Sequence, residues 1–460
     1  MEQTIDIHHT RIKENRFILL YILTLAISFS PYTQIGQISA LFFFVGIIFF
    51  VGIRPVYHIK KIILIILLYL FAGLMYWVFL QNEFWFVSYF LFLATISSFL
   101  IFIFDFKPIA NVSLIRKVGL ITLVVIFLEA AYGIFQAIYI YMQRGAIGDM
   151  VWGTLGPTNN HQYIGRMPHF IILLSTLLIF TIGTSSLRVR YQHLVIVATV
   201  ALCWILAKLM HSYVYFFLAA VIAVFLLISR KKITEQNTTG KKSNRRRNTL
   251  GLGIVFLTII IFAIAGSVAL PGQFARIPEV ISDAVDISPN SRYIKMKATY
   301  DTLFILPKDE WIQPLIGIGP GQYASRAALM VSGEYLERSS IPLIPNYVST
   351  YAQRYIISRL GVIGSSLHLP TSSWIAWYGE MGLIGLLILT IVLIKGIRFF
   401  RSYSSPVFPR MSFFMLILLL YILFMGIQNV YWEYTQAIFP AVLGLKLSYD
   451  YLKKEKETSL

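Results

Sequence analysis

The sequence predicts an all-α polytopic membrane protein of about twelve transmembrane helices, with one large and one medium loop on the outer face. Three observations lead to this fold class. The 460 residues are 57% hydrophobic and only 13% charged, against roughly 25% charged in an average soluble domain. The apolar residues recur in runs long enough to span a bilayer, and most of the 39 Lys and Arg residues lie between those runs. Such a composition excludes a soluble enzyme, a disordered chain and a secreted disulfide scaffold.

Twelve segments meet the requirement for a transmembrane helix, which is about 20 mostly apolar residues. They lie near residues 17–34, 36–53, 62–80, 84–104, 117–141, 168–185, 193–210, 212–229, 250–270, 374–395, 411–429 and 434–449. The first segment has no small-residue cleavage signature and begins a long series of spans. We therefore interpret it as a retained helix and not as a signal peptide.

The distribution of basic residues predicts the orientation. With a cytoplasmic N terminus, 27 of the 39 Lys and Arg residues fall in cytoplasmic segments and 11 in the two outer loops. The short loops then all obey the positive-inside rule. The basic run 230–248 has no interleaved aromatic residues, which argues against nucleic-acid binding. We expect a multi-pass protein of the cytoplasmic (inner) membrane with both termini in the cytoplasm.

The loops divide the chain into three parts. Residues 1–270 carry the first nine spans, the medium outer loop 142–167 and the basic cytoplasmic loop 230–248. Residues 271–373 form the large outer (periplasmic) loop domain, and residues 374–460 carry the last three spans and a cytoplasmic tail. The sequence contains no phosphate-binding Gly-Lys loop and no His/Cys/Asp cluster with metal-ligand spacing. We therefore expect chemistry on the outer face, without nucleotide, cofactor or metal.

Ionisable residues inside or at the ends of spans are costly in a bilayer and are candidate functional residues. Glu129 lies in the fifth span, Lys208 and His211 close the seventh, and Glu380 lies near the start of the tenth. Each could instead snorkel to the interface or form a hydrogen bond within the bundle. Ion-coupled transport also stays open, although the two halves of the chain show no duplicated pattern of interrupted spans.

Four local patterns lie between roughly residues 120 and 395. The patterns are Glu129-x-x-x-Gly133-x-x-Gln136, Gly153-Thr154-Leu155-Gly156-Pro157-Thr158-Asn159, Arg292 followed by the segment 315–323, and the segment 371–374 followed by 379–385. In their order and spacing they together resemble the O-antigen polymerase and ligase family of bacterial envelope proteins.

Two departures from the family pattern favour a Wzy-type polymerase over a ligase. Ligases of this family carry His-Asn where this chain has Thr371-Ser372, and the family's Ser-Arg corresponds here to Ser212-Tyr213. The resemblance implies transfer of a glycan from undecaprenyl diphosphate to a hydroxyl of another lipid-linked repeat unit. A ligase that acts on a lipid or protein acceptor and, in another class, a transporter or flippase of lipid-linked sugars remain alternatives.

The implied reaction needs cations that bind the diphosphate and stabilise the leaving charge. The resemblance makes Arg292 the leading catalytic candidate, with His368 and Glu380 as candidate bases for the acceptor proton. The candidates for binding diphosphate or glycan are Arg166, Lys208, His211, Arg354, Arg359, Asn159 and Glu129. The implied partners are the undecaprenyl-diphosphate-linked glycan and membrane lipid. A chain-length regulator and a flippase could be further partners.

Overall fold

The computed structural model describes residues 2–31, 36–53, 55, 59–80, 84–145, 151–156, 166–185, 191–207, 209–236, 294–332, 347–359 and 372–459. Within these ranges the regular structure is helical, apart from one isolated bridge between Pro55 and Phe104. The predicted all-α class is therefore confirmed. The predicted ninth span, 250–270, lies outside the described residues.

The first part of the chain contributes eight of the helices in these ranges. They are α1 Glu2–Ser28, α2 Ser39–Gly46, α3 Ile59–Leu80, α4 Phe86–Thr95, α5 Val112–Arg144, α6 Arg166–Thr184, α7 Tyr191–Leu206 and α8 Met210–Gln236. The predicted outer loop adds short helices, and the chain ends in three long ones. These are α9 Ile294–Tyr300, α10 Leu306–Asp309, α11 Gln313–Ile316, α12 Arg326–Ser332, α13 Thr350–Tyr355, α14 Ser373–Ser402, α15 Met411–Gln428 and α16 Thr435–Thr458.

Four helices of the described chain are long and apolar enough to cross a membrane. They are Val112–Arg144, Met167–Thr184, Ser373–Ser402 and Met411–Gln428. A fifth span results if α4 and the 3-10 helix Ser97–Ile103, which are bent by 64° at their junction, cross the membrane together. The chain is thus a membrane-embedded helical protein, and the total of twelve spans stays a prediction.

The helices differ in how much of their apolar surface the protein itself covers. Only 11% of the most apolar stretch of α14 is buried, and its Leu387 and Ile388 are more than half exposed. An exposed apolar surface of this size is unstable in water and is expected to face lipid. In contrast, 94% of the corresponding stretch of α6 is buried. Helix α6 therefore forms the centre of the bundle, where it packs against α5, α15 and α16.

The long helices define two ends of the bundle. The loop end, as we call it, contains the glycine-rich segment 317–325, the first turns of α6, α8, α14 and α16, and the last turns of α5 and α15. At the opposite end, which we call the basic end, Asn111 donates to Glu14, and Lys107 Nζ lies 2.7 Å from Glu457 Oε1. Three of the segments predicted to be cytoplasmic, 1–16, 105–117 and 446–460, thus meet at one end. Which side of the membrane each end faces stays a prediction.

Helix α16 extends beyond the predicted twelfth span, 434–449, and buries an ion pair. Lys446 Nζ lies 2.6 Å from both carboxylate oxygens of Asp450, four residues later. The two side chains are only 6% and 3% exposed. Asp450 also accepts a hydrogen bond from the Phe106 N–H at 2.8 Å. The pair therefore joins α16 to the segment that precedes α5.

Candidate functional site

The glycine-rich segment wraps around the carboxylate of Glu380. The N–H of Gly321 donates to Oε2 at 2.7 Å, and the N–H groups of Tyr323, Ala324 and Ser325 donate to Oε1 at 3.1, 3.1 and 2.8 Å. Glu380 is fully buried. Four backbone dipoles directed at one carboxylate stabilise its negative charge in the absence of a cation.

Glycines make this close approach possible. Gly317 (φ 76°) and Gly321 (φ 79°) both have a left-handed backbone that favours glycine. A Cβ at Gly317 would overlap the backbone of Glu380, and one at Gly321 would overlap the carbonyl of Ser88. Helix α14 is itself interrupted at Gly382 (φ 58°), where it touches the backbone of α11. The third and fourth family-like patterns therefore meet through their glycines.

This geometry assigns Glu380 a structural task. Both of its oxygens accept hydrogen bonds from the segment, so neither is directed at an open space in which a sugar hydroxyl could lie. The carboxylate positions the segment 317–325 and α12 at the loop end. These contacts account for the buried carboxylate without the predicted role of Glu380 as a base.

The first and second family-like patterns also meet. The hydroxyl of Thr154 lies 2.7 Å from Glu129, whose carboxylate also accepts the Thr154 N–H at 3.1 Å. Gln136 donates to the carbonyl of Gly153 at 2.8 Å and accepts its N–H at 2.9 Å. Glu129, a predicted binding residue, is thus in contact with the turn at 152–156 near the end of α1.

A row of basic and aromatic side chains crosses the loop end. It begins at Arg326, whose guanidinium carbon lies 4.4 Å from the centre of the Tyr434 ring. The ring of Tyr434 lies 4.1 Å from that of His169, which makes an edge contact with Tyr431 at 6.2 Å. These residues come from α12, α6 and the α15–α16 connection.

The row continues from Tyr431 to α8 and α9. The rings of Tyr431 and His211 are nearly parallel, with 6.4 Å between their centres. His211 interacts electrostatically with Lys295 on α9. Lys295 Nζ donates a hydrogen bond to the carbonyl of Gln428 at the end of α15. We call Arg326, Tyr434, His169, Tyr431, His211 and Lys295 the loop-end row.

The basic groups of the row are poorly neutralised. The side chain of Arg326 is only 4% exposed, and its Nε has no hydrogen-bond partner within the described ranges. Burial lowers the pKa of Lys295 to about 7. In the part of the chain that the structure describes, no carboxylate lies within 4 Å of either cation, although Glu433 interacts with Arg326 at longer range. Because Arg326 has Glu433 near it, Lys295 is the basic group of the row that favours the binding of an anion.

The structure reaches only some of the predicted site residues. Arg292, His368, Asn159 and Lys208 lie outside the described residues. Arg166 is the first residue of α6 and Arg359 the last of the 3-10 helix Ile357–Arg359. Arg354 is exposed on α13 and pairs with Asp309 at 2.8 Å. His211 is the predicted binding residue that belongs to the loop-end row.

Most of the loop-end row carries no signal in the sequence. His169 lies in a predicted span, Lys295 and Arg326 lie in the predicted large outer loop, and the neighbouring Glu433 lies in the short connection between two predicted spans. One signal could have identified Glu433, since it is a carboxylate in a stretch otherwise flanked by apolar runs. The convergence of these residues is a tertiary feature, so their spacing in the sequence carries no sign of it.

The family's His and Arg correspond here to Thr371 and Tyr213. Thr371 lies outside the described residues, and its neighbour Ser372 caps α14 by accepting the Ile375 N–H at 3.1 Å. The hydroxyl of Tyr213 donates a hydrogen bond to the carbonyl of Trp204. Its neighbour Ser212 accepts a hydrogen bond from the indole N–H of Trp204 at 3.1 Å.

Across the described ranges, no three His, Cys, Asp or Glu side chains are grouped in a way that could hold a metal ion. No family model, no curated protein and no solved structure matches this chain.

Proposed function

We propose that this chain is a membrane glycan polymerase that joins undecaprenyl-diphosphate-linked repeat units on the outer face of the cytoplasmic membrane. The observation that carries the proposal is the loop-end row. It presents the buried Arg326, the partly buried Lys295, two histidines and two tyrosines at one end of an apolar helix bundle. The resemblance described above adds the reaction class and the lipid-linked donor.

Lys295, at one end of the row, suits a diphosphate. A unit charge 4 Å from an anionic oxygen contributes about 4 kcal/mol at an effective dielectric constant of about 20. Lys295 uses one of its three N–H donors on Gln428, which leaves two for a ligand. Stabilising the charge that develops on a leaving diphosphate is a large part of catalysis in such a transfer. We assign this task to Lys295 together with the predicted Arg292, three residues earlier.

The surroundings of the row suit a lipid-linked substrate. Helix α14 starts at the loop end and exposes an apolar surface along most of its length. A polyprenyl chain can lie against such a surface while its diphosphate reaches the polar row. We propose that Glu380 and the glycine-rich segment fix α12, and with it Arg326, in position for this encounter. Neither task requires a nucleotide.

The proposal is tested by glycan length in the producing cells. The chromosomal gene is replaced by the Lys295→Met or Arg292→Ala variant, and surface glycans are separated by size. We expect single repeat units only, because the diphosphate is no longer stabilised. Lys308→Met, at an exposed lysine of the same predicted loop, is the matched control and should give wild-type lengths. Long chains at normal abundance in both test variants, with the proteins present in the membrane, would contradict the proposal.

Two further outcomes distinguish the alternatives. In a ligase, loss of function leaves polymer of normal length on the undecaprenyl carrier. In a transporter or flippase, it leaves lipid-linked units on the cytoplasmic side, where a membrane-impermeant sugar reagent does not reach them. Polymerase variants should instead show single units that the reagent labels.

A further inference from the structure

Glu433 and Arg326 are neighbours of opposite charge that do not form an ion pair. Glu433 is completely buried between α15 and α16. Its Oε2 accepts the backbone N–H of Arg326 at 2.6 Å. Its Oε1 has no hydrogen-bond partner among the residues that the structure describes. The guanidinium of Arg326 interacts with this carboxylate electrostatically but lies farther than 4 Å from it.

The guanidinium is held away from Glu433 by an aromatic contact. It stacks on Tyr434, which is in turn held by His169 on its own helix α6. The Nε of Arg326 is left as a buried donor without an acceptor, just as Oε1 of Glu433 is a buried acceptor without a donor. Each unmade hydrogen bond of this kind costs about 1–3 kcal/mol, and more for a charged group. Two such costs at adjacent residues indicate a ligand that satisfies both.

The missing ligand must offer a donor and an acceptor in a small, neutral group. An anion would be repelled by Glu433 and a cation by Arg326. A hydroxyl, or two adjacent hydroxyls of one sugar ring, supplies both functions. The position is next to the loop-end row, in which Tyr434 belongs to both sets of contacts.

We propose that Arg326 and Glu433 form the subsite for the acceptor sugar, with Glu433 Oε1 as the proton acceptor of the transfer. This inference rests on the proposed function and adds to it the group that activates the acceptor. Glu433 lies outside the region that resembles the polymerase and ligase family. The resemblance therefore implies no role for Glu433.

The transfer conserves atoms and charge. The acceptor hydroxyl oxygen forms a bond to the anomeric carbon of the donor glycan. The bond from that carbon to the diphosphate oxygen breaks, and its electron pair leaves with the diphosphate. The hydroxyl proton passes to Glu433 Oε1 and is later released to water. Arg326 Nε donates a hydrogen bond to a neighbouring hydroxyl of the same sugar and orients it.

The surroundings of Glu433 make it a better base than an ordinary carboxylate. Burial raises the pKa of Glu433 above its usual value, and the nearby carboxylate of Glu380 raises it further, whereas the N–H and the guanidinium of Arg326 and the hydroxyl of Thr95 oppose the rise. A base is most effective when its pKa approaches the working pH. The same effect is absent at the exposed Glu457, which pairs with Lys107 at the basic end.

The experiment compares two acceptors in one variant. Glu433→Gln keeps the size of the side chain, and its amide oxygen can still accept the Arg326 N–H. Purified full-length protein in lipid nanodiscs receives lipid-linked saccharide extracted from the producing cells, with or without sodium azide. Azide attacks the anomeric carbon without losing a proton, so it needs no base. Glycosyl azide and lengthened glycan are measured by mass spectrometry, with Glu457→Gln as the matched control.

We expect Glu433→Gln to lose transfer to sugar by about 100-fold or more, the usual effect of removing a general base, and to keep transfer to azide within threefold. The Glu457→Gln control should match the wild type with both acceptors. Transfer to sugar within threefold of the wild type would overturn the inference. Equal loss with both acceptors in a folded variant would also overturn it, because Glu433 would then be structural. A wild-type protein that transfers to neither acceptor would instead contradict the proposed function.

Discussion

Replacing Glu380 with glutamine tests the organisation of the loop end most sharply. The substitution keeps the shape of the side chain but removes the charge and turns one oxygen into an NH₂ group. If the amide oxygen takes the place of Oε1, it retains the three N–H donors of residues 323–325. The NH₂ group then faces the N–H of Gly321, which now lies 2.7 Å from Oε2. One charge-assisted hydrogen bond becomes a contact between two donors.

The expected cost follows from these contacts. A hydrogen bond to a charged group contributes about 1.5–3 kcal/mol, and a buried donor left without an acceptor costs a further 1–3 kcal/mol. Burying a neutral amide instead of a carboxylate offsets part of this loss. We therefore expect local opening of the segment to become easier by about 2–4 kcal/mol, which is about 30- to 1,000-fold in the equilibrium constant.

Hydrogen exchange followed by mass spectrometry measures that opening directly. Peptides that contain residues 317–325 should exchange about 30- to 1,000-fold faster in Glu380→Gln, whereas peptides from the buried α6 should be unchanged. Gly321→Ala should give a similar change by another route, since its Cβ would overlap the carbonyl of Ser88. Unchanged exchange of this segment in both variants would refute the view that Glu380 anchors it.

Three further predictions concern stability. Lys446→Met should lower the free energy of unfolding by about 3–5 kcal/mol, because it leaves the carboxylate of Asp450 buried without its cation. In a thermal melt, the double variant with Asp450→Asn should recover part of this loss. Equal stability of Lys446→Met and the wild type would contradict the prediction. Burial lowers the pKa of Lys295 from 10.5 to about 7, so between pH 7 and pH 10.5 the unfolded chain binds more protons than the folded one. The stability of the wild type should therefore rise from pH 7 to pH 9 relative to that of Lys295→Met. Parallel pH profiles of the two proteins would disprove the pKa shift. Gln136→Ala removes two hydrogen bonds to Gly153 and should cost about 1–3 kcal/mol in the same melt, while a neutral result would show that the turn is held without them.

Hydropathy was sufficient for the class of fold and for the approximate position of several helices. Hydropathy did not indicate that α16 continues to Thr458, because Lys446 and Asp450 lower the local hydropathy while their ion pair removes the cost of burying them. A count of apolar residues treats each charge separately. It cannot register that two charges four residues apart neutralise each other on one helix face.

The candidate site shows the same division between local and tertiary information. Sequence patterns drew attention to Glu129 and Glu380, and both have dense hydrogen bonding in the structure. The pairing of Arg326 with Glu433 joins residues 107 positions apart in the chain. It depends on how α12 packs beside the α15–α16 connection, and no local spacing encodes that contact.

Turnover by the purified protein is the decisive experiment for the proposal that this chain is a glycan polymerase. The full-length chain in nanodiscs is incubated with lipid-linked repeat units from the producing cells, with no nucleotide and no added metal, and the glycans are separated by size. We expect a ladder of products that differ by one repeat unit and remain attached to the carrier. This ladder should be lost in Lys295→Met. Repeat units that stay single in the presence of folded wild-type protein would contradict it.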